Sequence, residues 1–272
     1  MRRQQISAVT GNQVAYDEHA YWTSFYRAQV RGTPTDWMTI GAGTDPEARF
    51  HYNASENSII RALLRLEPAT GVTAQVWRFA QRRRDLRVLD IGSGTGHWID
   101  FFREVFFAGA VIGVEITEQM AGHLQAKYRD EESVSILRAN IADDRFVVPG
   151  GPVDLVSAIG VMFHIVDDAQ WRRAIANLHA ALMPGGLMLV GGDFGVETRN
   201  VQFHAADNFD SWSEQIPAPG SDTRVNKRVR SLAEWHRAVT ESGFSMIDLL
   251  RSDFEPGIAT PENDLLVLRR PA

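Results

Sequence analysis

The 272 residues are 44% hydrophobic and 23% charged, the proportions of a globular chain long enough to bury a substantial core without staples, so one large domain or one domain with an appendage is expected. Cysteine is absent, which excludes a disulfide framework, a thiolate nucleophile and a Cys-ligated metal. A net charge of −6, from 28 basic and 34 acidic side chains, opposes tracking of a phosphate backbone, and nucleic acid is not an expected partner.

In chain order, the start "MRRQQISAVTGNQ" is basic but lacks the apolar segment that a signal peptide needs. The longest apolar run, Val105 to Val114, is about half of the roughly 20 residues of a membrane-spanning helix. A soluble, cytoplasmic protein is expected, with no membrane partner. Residues 1–70 are rich in aromatics ("YDEHAYWTSFYR", "DWMTIG", "RFHY") and carry one strong helix, "ENSIIRALLRL", which the Asn53 and Glu56 pair would start. They read as an N-terminal helical cap packed on a main domain over 71–272.

From residue 87 onward, short β-branched or aliphatic runs alternate with helix-like stretches, the pattern of a parallel sheet with crossover helices. The runs predict strands at 87–92, 111–116, 134–140, 154–160, 186–192, 245–252 and 264–270. Asp167 with Gln170, and Ser231 with Glu234, mark helix starts, and Gly243 marks a helix end. "MPGG" at 183–186 should break the chain between a helix and the next strand. Residues 194–230 are too polar and too punctuated by Pro and Gly for core, yet contain Phe203, His204, Phe209 and Trp212. A connection this long is usually functional or disordered, and a substrate lid is the reading preferred here.

"VLDIGSGTGHW", from Val88 to Trp98, places three glycines at a strand-to-helix junction, where positive φ and free helix amides let a backbone approach a nucleotide-like ligand. The dinucleotide pattern G-x-G-x-x-G fails because position 97 is His; the pattern is G-x-G-x-G at Gly92, Gly94 and Gly96. Glu115 ends the next strand, nineteen residues past the last glycine, where an acid can accept both hydroxyls of a ribose.

"VLDIGSGTG", "VIGVEIT", "NIADD", "DLVSAIGVMFHIVDD" and "LMPGGLMLV" resemble the successive motifs of class I S-adenosylmethionine-dependent methyltransferases, over about residues 85–195. The resemblance implies an α/β fold, a Rossmann-like seven-stranded sheet, mostly parallel with its last strand antiparallel. It also implies S-adenosylmethionine as cofactor. Asp90 would organise the loop and meet the amino end of the methionine part, with Gly92, Gly94 and Gly96 under the ligand and Glu115 on the ribose. Where the family commonly has an acid near the end of the third strand, facing the adenine amino group, this chain has Asn140, followed by Ile141. Asn still offers a carbonyl acceptor, and Asp143 is a rival. Ile159 and Gly160 would line the methionine side, and His164 falls where the family frequently has a histidine.

A sulfonium methyl is already a strong electrophile, so the protein's tasks are alignment and exclusion of water. A hydroxyl acceptor needs a base; position favours His164, oriented by Asp167 and Asp168, over His51 and His204. His123, His179 and His236 read as solvent-facing, and His97 as a shaper of the loop. No metal site is expected. Tyr21, Trp22, Phe25 and Tyr26 form either a packing stripe, the expected role for most of them, or a cap lending π-faces to the sulfonium. The basic runs "RRR" (82–84) and "RVNKRVR" (224–230) read as solvated, the second with an acidic acceptor as the alternative. The expected function is methyl transfer to a small, partly apolar molecule at oxygen or nitrogen, with oligomeric state left open. The alternatives are a catalytically silent S-adenosylmethionine-binding module and an NAD-dependent oxidoreductase.

Overall fold

The computed structural model describes residues 17–29, 32–40, 44–65, 86–192, 194, 198–203, 224–250 and 264–272. Three helices come first: α1 (Glu18–Gln29), α2 (Asp36–Ile40) and α3 (Asp45–Arg65). The alternating part follows as β1 (Arg87–Ile91), α4 (His97–Glu104), β2 (Ala110–Glu115), α5 (Glu118–Lys127), β3 (Val134–Arg138), β4 (Val153–Ile159), a short 3-10 turn (Met162–His164), α6 (Asp168–Ala181) and β5 (Leu182–Gly191). The chain then forms β6 (Arg199–Phe203), β7 (Arg224–Val229), α7 (Leu232–Glu241), β8 (Ser245–Leu250) and β9 (Leu265–Arg269).

Seven strands make one sheet in the order β3-β2-β1-β4-β5-β9-β8. Neighbours from β3 to β5 are parallel, as in β1 on β2, where Arg87 faces Ala110 and Ile91 faces Val114. The final strand β9 runs antiparallel between β5 and β8. The expected seven-stranded, mostly parallel sheet is thus present, with each strand within a few residues of its expected span.

Because successive strand residues point to opposite faces, each buried strand feeds two cores. Leu89, Ile91, Val156 and Val190 pack with Trp171, Ile175, Leu178 and Trp235 of α6 and α7. Val88, Val111, Leu155 and Leu189 pack on the other face with Ile59, Phe102 and Leu124 from α3, α4 and α5. Layers on both faces leave the carboxyl ends of the strands as the place for a ligand. No helix among the described residues is long and apolar enough to cross a membrane.

Helix starts follow local chemistry. Asp167 accepts from Gln170 N at 2.8 Å, and Ser231 and Glu234 form a reciprocal capping box. Gly243, φ +91°, lies just past α7. The start of α3 corrects the sequence reading: it lies at Asp45, behind Thr44, whose hydroxyl bonds Glu47. Asn53 and Glu56 are therefore inside the helix.

"MPGG" also differs from expectation, since it lies within β5. Leu182 pairs with Val153 and Leu187 with Leu155, so the four residues between form a bulge opposite the single residue Asp154. The described ends of the 194–230 segment form an antiparallel hairpin, β6 on β7, rather than an irregular loop. Phe194, Lys227, Val229 and Arg230 are buried, which corrects the reading of the segment as too polar for core. His204, Phe209, Trp212 and "RRR" (82–84) lie outside the described residues.

Candidate functional site

β1 ends in Asp90 and Ile91, and the chain then turns through the glycines into α4. Gly92 N donates to Val114 O at 2.9 Å, which ties the loop to β2. Its φ is +65°, and a Cβ there would lie 2.5 Å from Val161 Cγ2, just past the end of β4. Gly96 has φ +93°, and its Cβ would lie 2.3 Å from the Tyr128 hydroxyl, which donates to Gly96 O at 2.9 Å. Both positions thus require glycine for conformation and for space. Lys127 Nζ donates to Thr95 O at 3.0 Å and pairs with Asp100 at 2.7 Å, fixing the far side of the turn.

Two carboxylates stand buried at this end of the sheet. Glu115 closes β2 and accepts from Gly94 N at 2.6 Å, while Asp90 is fully buried and, among the described residues, neither of its carboxylate oxygens has a hydrogen-bond partner. Burial pushes Asp90 up from 3.8 to about 7, against the pull of the nearby Ser93 and Ser157 hydroxyls. Burial likewise pushes Glu115 up from 4.5 to about 7, the Gly94 amide opposing and the charge of Asp90 adding. An orphaned carboxylate of this kind is a receptor for a cation.

The N-terminal helices cover this end. Thr39 of α2 lies 3.5 Å from where a Gly94 Cβ would be, and Asp36 of α2 accepts from the Thr95 hydroxyl. Tyr52 of α3 stacks on His97 at 3.6 Å between centroids, and His97 Nε2 meets Glu56 Oε1 at 2.9 Å. Of the α1 aromatics, Phe25 and Tyr26 pack with Met120 of α5. The charge of Glu115 adds to burial in raising the Tyr26 pKa, and Trp22 sets its ring edge-on to His164 at 4.7 Å. These aromatics are therefore packing groups that also wall the site.

The structure brings Asp90, the three glycines, Glu115 and the end of β4 together. Asn140 follows β3 beside Glu115, because Ala139 N donates to Glu115 O at 3.0 Å. Its side-chain carbonyl accepts from Ala142 N at 2.8 Å, which holds the turn and leaves one lone pair. Ile141 is buried and Asp143 exposed. Ile159 is half-buried at the end of β4, and Gly160 follows with φ +75° and open space at its Cβ position.

His164 ends the 3-10 turn, buried, with the ring of Phe163 at 4.5 Å. The acids expected to orient it are engaged elsewhere: Asp167 caps α6, and Asp168 pairs with Arg228 at 2.9 Å and Arg230 at 3.0 Å. His51 is half-buried on α3. His236 is exposed as expected, but His123 and His179 are half-buried, His179 against Phe244. Sequence reasoning missed Asp36, Thr39, Tyr52, Tyr128 and Arg230, whose partners lie far away in the chain.

The sequence profile of a family described as "Methyltransferase domain" matches residues 59–249, well over half of the chain. The chain belongs to that methyltransferase family. It is an S-adenosylmethionine-dependent methyltransferase of the class I superfamily, with S-adenosylmethionine as cofactor; this decides against the NAD and catalytically silent alternatives. The chain is 27% identical over 152 residues, 50% of its length and 70% of the relative's, to a ribosomal RNA large subunit methyltransferase E from Syntrophobacter fumaroxidans. Its fold is similar to that of the N-methyltransferase NodS from Bradyrhizobium japonicum in complex with S-adenosyl-L-homocysteine, with TM-score 0.54, 15% identity and coverage of 92% of this chain and 100% of that one. It is also similar to an S-adenosylmethionine-dependent methyltransferase from Leishmania major, with TM-score 0.61, 15% identity and coverage of 93% and 82%.

Proposed function

We propose that this methyltransferase acts on a small, partly apolar molecule, at oxygen or nitrogen. The observation that carries the reading is a narrow, largely apolar recess at the carboxyl ends of β4 and β5, lined by Met162, Phe163, Phe194 and Trp235 among others. It adjoins the turn that bears His164.

Asp90 would hold the cofactor's ammonium, Glu115 its ribose hydroxyls and Asn140 with Ile141 its adenine, while the glycine loop admits it closely. The donor set fits: an orphaned buried carboxylate suits a cation, and a carboxylate at a strand end suits a diol. When bound, the cofactor supplies an electrophilic methyl. Ile159 and the aromatic wall exclude water from the reaction path. His164 takes the proton from a hydroxyl acceptor, its ring packed against Trp22 and Phe163. The described N-terminal helices α1, α2 and α3 act as the cap, and the paired strands β6 and β7 as the lid, of this site.

An RNA acceptor is the second reading, favoured by the likeness to the ribosomal RNA methyltransferase and opposed by the net charge of −6. The test is incubation with methyl-labelled cofactor and, separately, small-molecule extract or total RNA. Label in a low-mass product supports the proposal. Label in RNA alone overturns it.

A further inference from the structure

The inward residues of α1 recur at helical spacing across the carboxyl ends of the strands. Tyr26 is buried where the charge of Glu115, at the end of β2, reaches it. One turn back, Trp22 sets its ring edge-on to His164, in the turn after β4, at 4.7 Å. Since β1 lies between β2 and β4 and β5 lies beyond β4, the helix traced backward runs from the cofactor side toward β5. Residues four apart share a helix face and lie about 6 Å apart along the axis. The next residue of this series is Glu18, one turn beyond Trp22 in the direction of β5.

Glu18 departs from an ordinary acid at a helix start, which stands in water and is stabilised in its ionised form by the helix dipole. Asp17 fills that ordinary role: it is exposed and accepts from Ala20 N at 3.0 Å. Glu18 is half-buried. Burial raises its pKa from 4.5 to about 8, and the charge of Asp17 adds to this. Among the described residues its carboxylate makes no hydrogen bond or ion pair, yet its oxygens are not sealed from solvent. A group that is desolvated and still reachable lies in a concave place. The neighbouring rings are aromatic: Tyr21 and Trp22 meet edge-on at 5.2 Å, and Trp22 and Phe25 at 5.3 Å. A carboxylate beside aromatic faces suits an ammonium group, which it attracts by charge and the rings by their quadrupole.

We propose that the start of α1 is part of the acceptor site, where Glu18 and the rings of Tyr21 and Trp22 hold an ammonium group, so that the acceptors are small amines with an apolar body. Asp17, exposed beside Glu18, adds negative charge that draws cations to the same end of the helix. This rests on the methyl-transfer reading above and names its substrate class.

The experiment uses the full chain saturated with S-adenosyl-L-homocysteine, whose binding is measured first by calorimetry; failure at that step counts against the cofactor site. The probes are 2-phenylethylamine and its neutral near-isostere 2-phenylethanol. The amine is expected to bind at least tenfold more tightly. Glu18→Gln is expected to abolish that preference with S-adenosyl-L-homocysteine affinity unchanged and the melting temperature not lowered, and Glu18→Asp, which keeps the charge, to retain part of it. Equal binding of amine and alcohol, binding of neither to the loaded protein, or an unchanged preference in Glu18→Gln overturns the proposal. Methyl label passing only into low-mass products that lack nitrogen upholds the methyl-transfer reading and overturns this one.

Discussion

Asp90→Asn is expected to stabilise the cofactor-free protein while weakening its hold on S-adenosylmethionine. In the fold Asp90 is pushed from 3.8 up to about 7 by burial, so between these values the unfolded chain is ionised and the folded one protonated. The folded state then binds more protons, and stability falls as pH rises from about 4 to about 7, levelling off above. From pH 5 to pH 8 the Asp90 contribution is a loss of about 2–3 kcal/mol, and Glu115, raised from 4.5 to about 7, adds a loss of similar size. Asn has the same shape and no charge, so the variant should lose stability over this range with about half the wild-type slope. At roughly 2–4 °C per kcal/mol for a domain of this size, the Tm difference grows by about 5–10 °C. Melting curves at intervals from pH 5 to pH 8, with and without cofactor, read this directly. The cofactor should raise the wild-type Tm more at pH 8 than at pH 5, because an ionised Asp90 meets its cation. Parallel curves for wild type and Asp90→Asn would refute the reasoning, by showing that the carboxyl does not titrate in this window.

Glu115→Gln keeps an acceptor for the Gly94 amide but loses the charge, and Glu115→Ala loses both; calorimetry should show cofactor affinity falling by about 1–3 kcal/mol for Ala and less for Gln. An unchanged Kd in folded Glu115→Ala removes Glu115 from the cofactor site. His164→Ala should lower turnover of a hydroxyl acceptor by about 10²–10⁴ with cofactor affinity unchanged. Near-normal turnover with a lowered Tm assigns His164 to packing against Trp22 and Phe163 and moves the search to His51 and His204.

The sheet was legible because each strand is a short apolar run whose neighbours are set by local crossovers, and the glycine loop because three glycines and two acids keep fixed spacings across one β-α-β unit. Asn53 and Glu56 have the spacing of a helix cap, yet Glu56 serves His97, a partner 41 residues away that no local pattern records. Thr44 and Glu47 carry the same signature two and a half turns earlier and were hidden by the aromatic, mixed character of "ARFHY". "MPGG" reads as a break because Pro and Gly resist regular strands; here the bulge lets Leu182 and Leu187 both pair with β4. The burial of Lys227, Val229 and Arg230 within "RVNKRVR" was not legible, because whether a basic run is solvated depends on Asp168, Trp171 and Phe163 arriving from other elements.

The two sides of the site are built on different terms. The cofactor side is set by β1, β2 and the loop between them, where the strand ends fix Asp90 and Glu115 through the backbone bonds of Gly92 and Ser93 to Val114. Its cost is two buried carboxylates, while the positive φ of the three glycines is a conformation that glycine adopts freely. The cores on both sheet faces offset that cost. The proposed acceptor side draws on the 3-10 turn, the end of β5, β7 and α7, which meet only in the fold. On the proposed reading, substitutions in Phe163 or Trp235 change which molecule is methylated without disturbing the loop, whereas α2 and α3 touch the loop itself through Thr39, Asp36 and Tyr52. On that reading, choice of acceptor is separable from cofactor binding on the side of the 3-10 turn and coupled to it on the side of α2 and α3.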